Sequence, residues 1–369
     1  MTFPAGTILK ILLVEFAKSP LHTLAEIGRR LMPHRGNPSP QILRMRELTS
    51  ETPLILQIET TNVCNAVCVF CAFPKMERKK GVMSLPLFEQ IVGEYASMGG
   101  GSVSLTPLVG DALLDPHLLE RLQILDATPQ INQISLTTNA IALERYSDEE
   151  VRRILQVIDC IQVSIGGLDA ATYRTMFGVD RFAQVQNALE RLLVLRNEVA
   201  DPPNINLAFR TNDWRFELRF RKQLENYRRR GAFVSHIWTY ANYAGLVAND
   251  DSLHLEVIDG SMEKRLPCIY PAVHMAIGWD GRITACGCAD FEGTALGIGQ
   301  VGECSLGQVW SGKKRLGILD SFALGKLRKI CRECSAYQPD SAIFSKSFCH
   351  GIAPHRPLPQ EFFQQFWGG

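Results

Sequence analysis

The chain has 369 residues, which is enough for one large domain or for a main domain with one or two smaller ones. Hydrophobic residues make up 46% and charged residues 21%, and 39 Lys and Arg against 38 Asp and Glu give a net charge of +1. This composition is typical of a globular protein and excludes a disordered or collagen-like chain. The balanced charge argues against a nucleic-acid partner, because such binding needs a clustered excess of Lys and Arg.

The 11 cysteines are unevenly distributed. Three lie within residues 64–71, Cys160 stands alone, and seven lie between Cys268 and Cys349. A secreted, disulfide-bonded domain is short and has paired cysteines, whereas this chain is long, with an odd number and no recognisable signal peptide. The pattern predicts reduced thiols in the cytoplasm and two metal clusters, one near each end of the chain.

The first 50 residues contain an apolar run over residues 6–17, which Lys10 and Glu15 interrupt. A membrane-spanning helix needs about 20 apolar residues in succession, so this run cannot be one. Its apolar positions suit a helix that packs on the main domain, and we expect no contact with a membrane surface.

From residue 54 onward, short apolar runs alternate with amphipathic stretches, which is typical of a parallel sheet with crossover helices. Strands are predicted over residues 54–59, 102–106, 131–136, 158–164, 205–210 and 233–240. Helices are predicted after the N-cap candidate Ser84, from about Pro116, after a capping box at Ser147 and Glu150, and over residues 216–230. Six such units are too few for a closed eight-stranded barrel and predict an open α/β sheet, a partial (β/α)6 barrel.

The alternation stops after about residue 250, where cysteines, glycines and turns dominate. We therefore expect an N-terminal helical extension over residues 1–50, a partial barrel over 51–255, and a small cysteine-rich domain with a tail over 256–369.

Cys64, Cys68 and Cys71 lie in a loop directly after the first predicted strand. A structural zinc ion usually takes four ligands supplied as two pairs, so three thiolates without a nearby His leave such a site incomplete. A [4Fe–4S] cluster would use the three thiolates on three irons and leave the fourth iron open to an exogenous ligand. Zinc and unmodified buried thiols remain the alternatives at this point.

Residues 58–71 resemble the cluster loop of the radical S-adenosylmethionine (SAM) enzymes, including the Asn after the first Cys and the aromatic residue before the last. In that family SAM chelates the open iron, and an electron cleaves it to methionine and a 5′-deoxyadenosyl radical that abstracts hydrogen from a C–H bond. The resemblance implies an enzyme in which Cys64, Cys68 and Cys71 hold the catalytic [4Fe–4S] cluster and Phe70 lies against the adenine.

Three further segments at predicted strand ends resemble SAM-binding positions of the family. Residues 109–116 are similar to its glycine-glycine-glutamate-proline loop, although Val109 and Asp111 replace the usual Gly and Glu; Gly110 and Asp111 are then expected near the SAM amino group. Asn139 resembles the ribose-contacting position, and Ser164 resembles a position that reaches the SAM carboxylate. Taken alone, Asn139 and Ser164 also suit ordinary turns after strands.

Downstream, Cys268 is followed by twelve residues, Gly281, four more residues and Cys286, and the pair Cys331 and Cys334 comes later. This arrangement resembles the C-terminal SPASM extension of radical SAM enzymes, which binds auxiliary iron–sulfur clusters. The four cysteines would ligate one auxiliary [4Fe–4S] cluster completely. Zinc is the competing occupant, and Cys288, Cys304 and Cys349 are left without a role or support a second cluster.

A fully ligated auxiliary cluster cannot chelate substrate, so we expect it to accept electrons. That favours a net oxidation (dehydrogenation) of a sugar, aminocyclitol or glycan, and redox-neutral outcomes such as epimerisation or C–C or C–S bond formation remain open. The candidates for a base or a substrate contact are Asp111, Arg210 and Tyr240, followed by Asp115, His117, His236 and Tyr243.

Two alternatives remain open. The first is a maturase of peptide or protein side chains, although the first 50 residues lack the β alternation of a leader-binding module. The second, of another class, is a non-catalytic iron–sulfur electron carrier or a zinc protein; a carrier would protect its cluster with four protein ligands, not three. The expected electron donor is of the flavodoxin or ferredoxin type.

Overall fold

The computed structural model describes residues 49–338, apart from 262–263 and 265–266. Almost all of the predicted N-terminal extension, and Cys349, lie outside the described residues. The strands are Ile55–Ile58 (β1), Gly101–Ser104 (β2), Ile131–Thr138 (β3), Cys160–Ile165 (β4), Asn204–Arg210 (β5), Ala232–Ile237 (β6), Thr239–Tyr240 (β7), Glu256–Val257 (β8), His274–Ile277 (β9), Arg282–Thr284 (β10) and Gly297–Gln300 (β11).

Nine of these strands form one sheet in the order β11-β10-β9-β1-β2-β3-β4-β5-β6. Strands β1 to β6 pair in parallel, each with the next along the chain. β6 and β11 are the two edges, so the barrel is open, as predicted. Because the strands are parallel, their carboxyl ends meet along one side of the sheet, where α/β proteins place their sites.

Helices connect the parallel strands and cover the sheet. They are Leu85–Ser97 (α1), Leu118–Asp126 (α2), Asp148–Val157 (α3), Ala170–Phe177 (α4), Phe182–Arg196 (α5), Phe216–Arg219 (α6), Arg221–Arg229 (α7), Ile269–Val273 (α8), Leu306–Trp310 (α9), Lys313–Ala323 (α10) and Lys329–Glu333 (α11). The predicted starts of α1 and α3 are confirmed: the Ser84 hydroxyl accepts a hydrogen bond from the Leu87 amide, and Ser147 and Glu150 form the capping box.

Two predicted elements differ from the structure. The helix predicted over residues 216–230 is interrupted at Phe220, which has non-helical dihedral angles (φ −109°, ψ 21°) and separates α6 from α7. The strand predicted to end at Tyr240 leaves the main sheet after Ile237, and β7 pairs instead with β8. There the Tyr240 hydroxyl donates to the carbonyl oxygens of Thr211 (2.8 Å) and Ile237 (3.0 Å), which turns the chain across the mouth of the barrel.

Strands β9, β10 and β11 belong to the same sheet as the barrel, whereas β8 pairs with β7. β9 lies parallel to β1, with His274 opposite Ile55, and β10 and β11 continue from it in antiparallel pairing. The cysteine-rich part of the chain is thus hydrogen-bonded to the strand that leads into the first cysteine loop. No helix in the described part of the chain is both long and apolar enough to cross a membrane.

His274 on β9 makes stability depend on pH. Its side chain is buried, its Nδ1 has no hydrogen-bond partner among the described residues, and burial lowers its pKa to about 4. Between about pH 6.5 and pH 4, His274 binds a proton in the unfolded chain but not in the folded chain. The unfolding free energy therefore has its full value above pH 6.5 and falls as the pH is lowered towards 4. We expect this one group to remove about 3 kcal/mol of the unfolding free energy at pH 4.

Urea unfolding at pH 7 and pH 4.5 tests this expectation. His274→Met should show a smaller loss on acidification than the parent protein, whereas His117→Met, at a side chain that is 42% exposed, should behave like the parent. Equal losses in the parent and His274→Met would contradict the assignment.

Candidate functional site

The first cysteine loop lies at the carboxyl end of β1 and lines a cavity of about 290 Å³. The thiols of Cys64, Cys68 and Cys71 all face this cavity. The loop is docked on the end of α4, where the amides of Val67 and Val69 donate to the carbonyl oxygens of Phe177 and Met176, both at 3.1 Å.

The electrostatics of the three thiols fit a bound cationic centre. Burial raises the pKa of Cys64 to about 12, with the nearby Asp111 carboxylate adding to the rise, and burial also raises the pKa values of Cys68 and Cys71. The Arg210 charge lowers the pKa values of Cys68 and Cys71 but does not outweigh burial, so a bound metal centre would have to supply the further positive charge that stabilises three thiolates. Among the described residues, no three Cys, His, Asp or Glu side chains converge on a point suitable for a single metal ion. Three thiols around one cavity fit a multi-iron cluster, in which each thiolate binds a different iron.

Asp111 joins the loop after β2 to the end of β3. Its buried carboxylate accepts hydrogen bonds from the Asn139 amide (2.7 Å), the Thr138 hydroxyl (2.8 Å) and the Leu113 amide (3.0 Å). Burial outweighs these bonds and raises the pKa of Asp111 to about 6. The carboxylate therefore links the loop after β2 to the end of β3 at the rim of the cavity, and Asp111 positions Asn139.

Asn139 connects that rim to the cysteine loop. Its side-chain amide donates to Asn65 Oδ1 at 2.8 Å and lies 3.9 Å from the Cys64 sulfur, while its Oδ1 accepts from the Ile141 amide at 2.9 Å. The residue after the first cysteine and the residue after β3 are therefore held as one unit.

Gly110 allows the rim to approach the cysteine loop closely. It has φ +137°, and a Cβ atom at this position would lie 2.9 Å from the Thr61 carbonyl oxygen. Gly110→Ala should therefore destabilise the protein by about 1–3 kcal/mol and weaken SAM binding. Urea unfolding and SAM titration measure both effects.

Gly317→Ala is the matched control for that variant. Gly317 lies within α10, and a Cβ atom added there would meet no neighbouring atom within 4 Å, so alanine should stabilise the helix by about 0.5–1 kcal/mol. Equal unfolding free energies for Gly110→Ala and the parent protein would mean that the rim does not need this close approach.

One connected group of side chains at the cavity wall consists of Phe70, Tyr240, Arg210 and Ser164. The Phe70 ring stacks on Tyr240 with centroids 4.7 Å apart, and the Arg210 guanidinium lies 5.5 Å from the Phe70 centroid. Arg210 Nε donates to the Ser164 hydroxyl at 3.1 Å. No carboxylate in the described part of the chain forms an ion pair with Arg210, so its remaining donors can receive an anionic group.

The seven candidate polar residues separate into two sets. Asp111, Arg210, Tyr240 and Tyr243 line the cavity. The other three do not: Asp115 pairs with Arg121, His117 lies 3.6 Å from Glu120 at the surface, and His236 Nε2 lies 2.9 Å from the Thr211 hydroxyl.

Besides Arg210, the inner face of the sheet carries several uncharged polar side chains, which were not predicted from the sequence as a group. Thr106 and Thr137 share a hydrogen bond of 3.1 Å at the cavity floor, where Gln162 also lies. Deeper in the sheet, Asn206 donates to Gln162 at 3.3 Å and accepts from the Ser235 hydroxyl at 3.1 Å. A signal was present in the sequence, because alternate residues of β3 and β4 share a face and are polar in otherwise apolar strands.

The second cysteine group lines a separate cavity between the start of α8, the loop after β10 and α11. Five thiols meet there: Cys268, Cys286, Cys288, Cys331 and Cys334. Burial, together with the neighbouring Cys286 thiolate, raises the pKa of Cys331 to about 12 and that of Cys334 to about 11. The four predicted ligands are therefore together, and Cys288 joins them. Cys160 on β4 is buried in the main core and Cys304 is exposed.

Comparisons with known proteins match both parts of the chain. Residues 58–197 match the model of the radical SAM superfamily, and residues 268–335 match the SPASM model, an iron–sulfur cluster-binding domain. The chain contains a radical SAM domain followed by a SPASM domain. The match confirms the predicted catalytic [4Fe–4S] cluster and SAM as cofactors of the radical SAM domain, and iron–sulfur binding by the SPASM domain.

Curated relatives match part of the chain. GTP 3′,8-cyclase of Chlorobaculum tepidum is 30% identical over 138 residues, which make up 37% of this chain and 40% of that protein. The same activity name is carried by a Mannheimia succiniciproducens protein that is 30% identical over 140 residues. The chain thus spans about 40% of the length of these relatives.

Solved structures share the fold over most of the chain. Streptococcus suis SuiB bound to precursor peptide SuiA has a TM-score of 0.56 at 16% identity, over 94% of this chain and 91% of that one. The protein anSMEcpe with bound AdoMet has a TM-score of 0.52 at 14% identity, over 86% and 96%. At these identities the likeness supports the open barrel with its C-terminal cluster domain.

Proposed function

We propose that this chain is a radical SAM oxidoreductase that oxidises a sugar, aminocyclitol or glycan with one auxiliary [4Fe–4S] cluster as electron acceptor, or epimerises such a substrate with no net transfer of electrons. The observation that carries the substrate class is the inner face of the sheet. Amide and hydroxyl side chains form hydrogen-bonded sets there, and Thr106, Thr137 and Gln162 line the same cavity as the three thiols. Neutral donors and acceptors of this kind match the hydroxyl groups of a carbohydrate.

The residues of the first cavity have separate tasks in this proposal. Cys64, Cys68 and Cys71 would hold the catalytic cluster. When bound, the cluster and SAM together supply a 5′-deoxyadenosyl radical for hydrogen abstraction, and the auxiliary cluster supplies a place for the substrate's electron. Asn139 is fixed by Asp111 to contact the ribose, and Phe70, held by its stack on Tyr240, offers an edge to the adenine.

Arg210 and Ser164 would bind an anionic group at the cavity wall. Their mutual hydrogen bond fixes the direction of the guanidinium. The Arg210 charge would then bind the carboxylate of SAM. The Tyr240 hydroxyl is engaged with two backbone carbonyl oxygens, and burial raises its pKa, so this residue positions Phe70 and the neighbouring chain. Removal of a proton from the substrate would then fall to another group of the cavity or to water.

The auxiliary site would use Cys268, Cys286, Cys331 and Cys334. With four thiolate ligands the cluster has no open iron, which suits electron transfer and not substrate chelation. An electron donor of the flavodoxin or ferredoxin type would reduce the catalytic cluster. In a net oxidation the substrate then loses a hydrogen atom, a proton and an electron.

Anaerobic reconstitution followed by isotope transfer tests the proposal. The reconstituted protein should hold about eight irons and convert SAM to 5′-deoxyadenosine with a chemical reductant. Incubation with a panel of carbon-deuterated sugars and aminocyclitols should place deuterium in 5′-deoxyadenosine for one of them.

The other outcomes identify the alternatives. Deuterium transfer from labelled peptides alone would indicate a peptide maturase. Intact SAM in a protein with full iron content would indicate an electron carrier, and about four irons together with tightly held zinc would remove the auxiliary electron acceptor. Each of these results would contradict the proposed reaction.

A further inference from the structure

A lysine is buried beside the second cysteine group. Lys264 is only 6% exposed, and its ammonium donates hydrogen bonds to the carbonyl oxygens of Gly260 at 2.7 Å and Arg332 at 2.6 Å. Arg332 lies between Cys331 and Cys334 in the sequence, so the ammonium is bonded to the segment that carries two of the predicted ligands. Its Nζ also lies 5.8 Å from the centroid of the Tyr337 ring, which lines the same cavity.

Burial of an ammonium is costly unless negative charge lies nearby. In the described part of the chain, Lys264 donates to carbonyl oxygens and forms no ion pair with a carboxylate. Asp259 lies near enough to attract it weakly, but its carboxylate accepts from the amide and hydroxyl of Ser261. Burial lowers the pKa of Lys264, while negative charge at Cys334, Cys331 and Cys268, in that order, acts in the opposite direction.

The position of Lys264 is determined by close backbone packing. A Cβ atom on Gly260 would lie 1.9 Å from the Glu333 carbonyl oxygen, so only glycine lets these two segments touch. The same carbonyl accepts from the Asn242 side chain at 2.7 Å, and Asn242 also bonds Ser335. The ammonium is therefore held in place by a built site and is not a mobile surface charge.

We infer that Lys264 is a buried counter-charge that stabilises the reduced form of the auxiliary cluster and raises its reduction potential. This inference rests on the proposed function, in which that cluster accepts an electron. Four thiolates around a cubane core leave a net negative charge that grows by one unit on reduction, so a fixed cation nearby favours the reduced form. Lys264 acts on the auxiliary cluster through its charge, and it does not line the first cavity, where SAM would bind.

The test is a redox titration of the auxiliary cluster, followed by electron paramagnetic resonance. It is carried out on the full chain in which Cys64, Cys68 and Cys71 are alanine, so that one cluster gives the signal, and is repeated on the holoenzyme. Lys264→Met should lower the midpoint potential by about 59 mV, which is a tenfold loss of the reduced form at a fixed potential. Lys264→Arg keeps the charge and should remain much closer to the parent protein.

Lys329→Met is the matched control. Lys329 lies two residues before Cys331, but its side chain is 77% exposed, so water and salt screen its charge and the potential should not change. An equal potential in Lys264→Met and the parent, or an equal shift in Lys264→Met and Lys264→Arg, would overturn the inference.

Cluster retention provides the second readout. If Lys264→Met loses the auxiliary iron while Lys264→Arg keeps it, the charge is needed for the cluster itself and the inference is supported. If both variants lose iron, the fit of the lysine and not its charge is what matters, and the inference is wrong. Zinc in place of iron in the parent chain would overturn the proposed function as well, whereas iron with an unshifted potential would overturn this inference alone.

Discussion

Replacing Cys64, Cys68 and Cys71 together by alanine should abolish the formation of 5′-deoxyadenosine while leaving about four irons on the chain. The reason is the separation of the two cysteine groups, which line different cavities. Iron analysis and chromatographic detection of 5′-deoxyadenosine measure the two effects independently. Activity should fall to the level of a reaction without protein, because no other thiol of the described residues lines the first cavity.

Cys304→Ala is the control for the triple variant. Cys304 is exposed and lines neither cavity, so this variant should keep about eight irons and full SAM cleavage. Loss of iron from both sites in the triple variant would mean that the assignment of ligands to two clusters is wrong. Retained SAM cleavage would mean that the catalytic cluster lies elsewhere.

Arg121→Met should cause a large loss of stability. Arg121 Nε lies 2.7 Å from Asp115 Oδ2, and both side chains are fully buried. The guanidinium also donates to the Met83 carbonyl oxygen and lies 4.9 Å from the centroid of the Phe88 ring. Its removal leaves the buried Asp115 carboxylate without a countercharge, although the His117 amide still donates to it, and this costs about 3–5 kcal/mol. Urea unfolding under anaerobic conditions measures the loss.

Two further variants define what the pair contributes. Arg153→Met removes an exposed pair with Glu149 at 3.7 Å and should cost less than about 1 kcal/mol. The double variant Arg121→Met, Asp115→Asn should cost less than the sum of its single changes, because the second substitution removes the uncompensated charge. Additive losses would show that the two side chains do not depend on each other.

The parts of the fold that were predictable depend on local signals. Ser84 and the pair Ser147 and Glu150 specify helix starts through hydrogen bonds within one turn, and the structure has these bonds. The interruption at Phe220 has no Pro or Gly to announce it. Helices α4 and α5 were not predicted. Gly178, with φ +68°, ends α4 shortly before α5 begins, and a helix C-terminus at a lone glycine is easily interpreted as a loop.

The candidate site divides in the same way. The spacing of Cys64, Cys68 and Cys71 is a local pattern, and the structure places all three on one cavity. The pairing of Asp115 with Arg121 decides that Asp115 is structural, and only tertiary packing shows this. Lys264 likewise resembles any surface lysine in the sequence, because its burial depends on segments far away in the chain.

The place of β1 in the sheet has a consequence for the order in which the chain can fold. On one side β1 pairs with β2, which follows closely, but its other partner, β9, begins only at His274 and is made much later. Until then β1 is an edge strand whose buried apolar residues and free backbone groups can pair with another chain. Such long-range pairing is also slow to form. A chain truncated before Cys268 would keep that edge permanently and should aggregate, so the radical SAM half cannot be isolated simply by removing the cysteine-rich half.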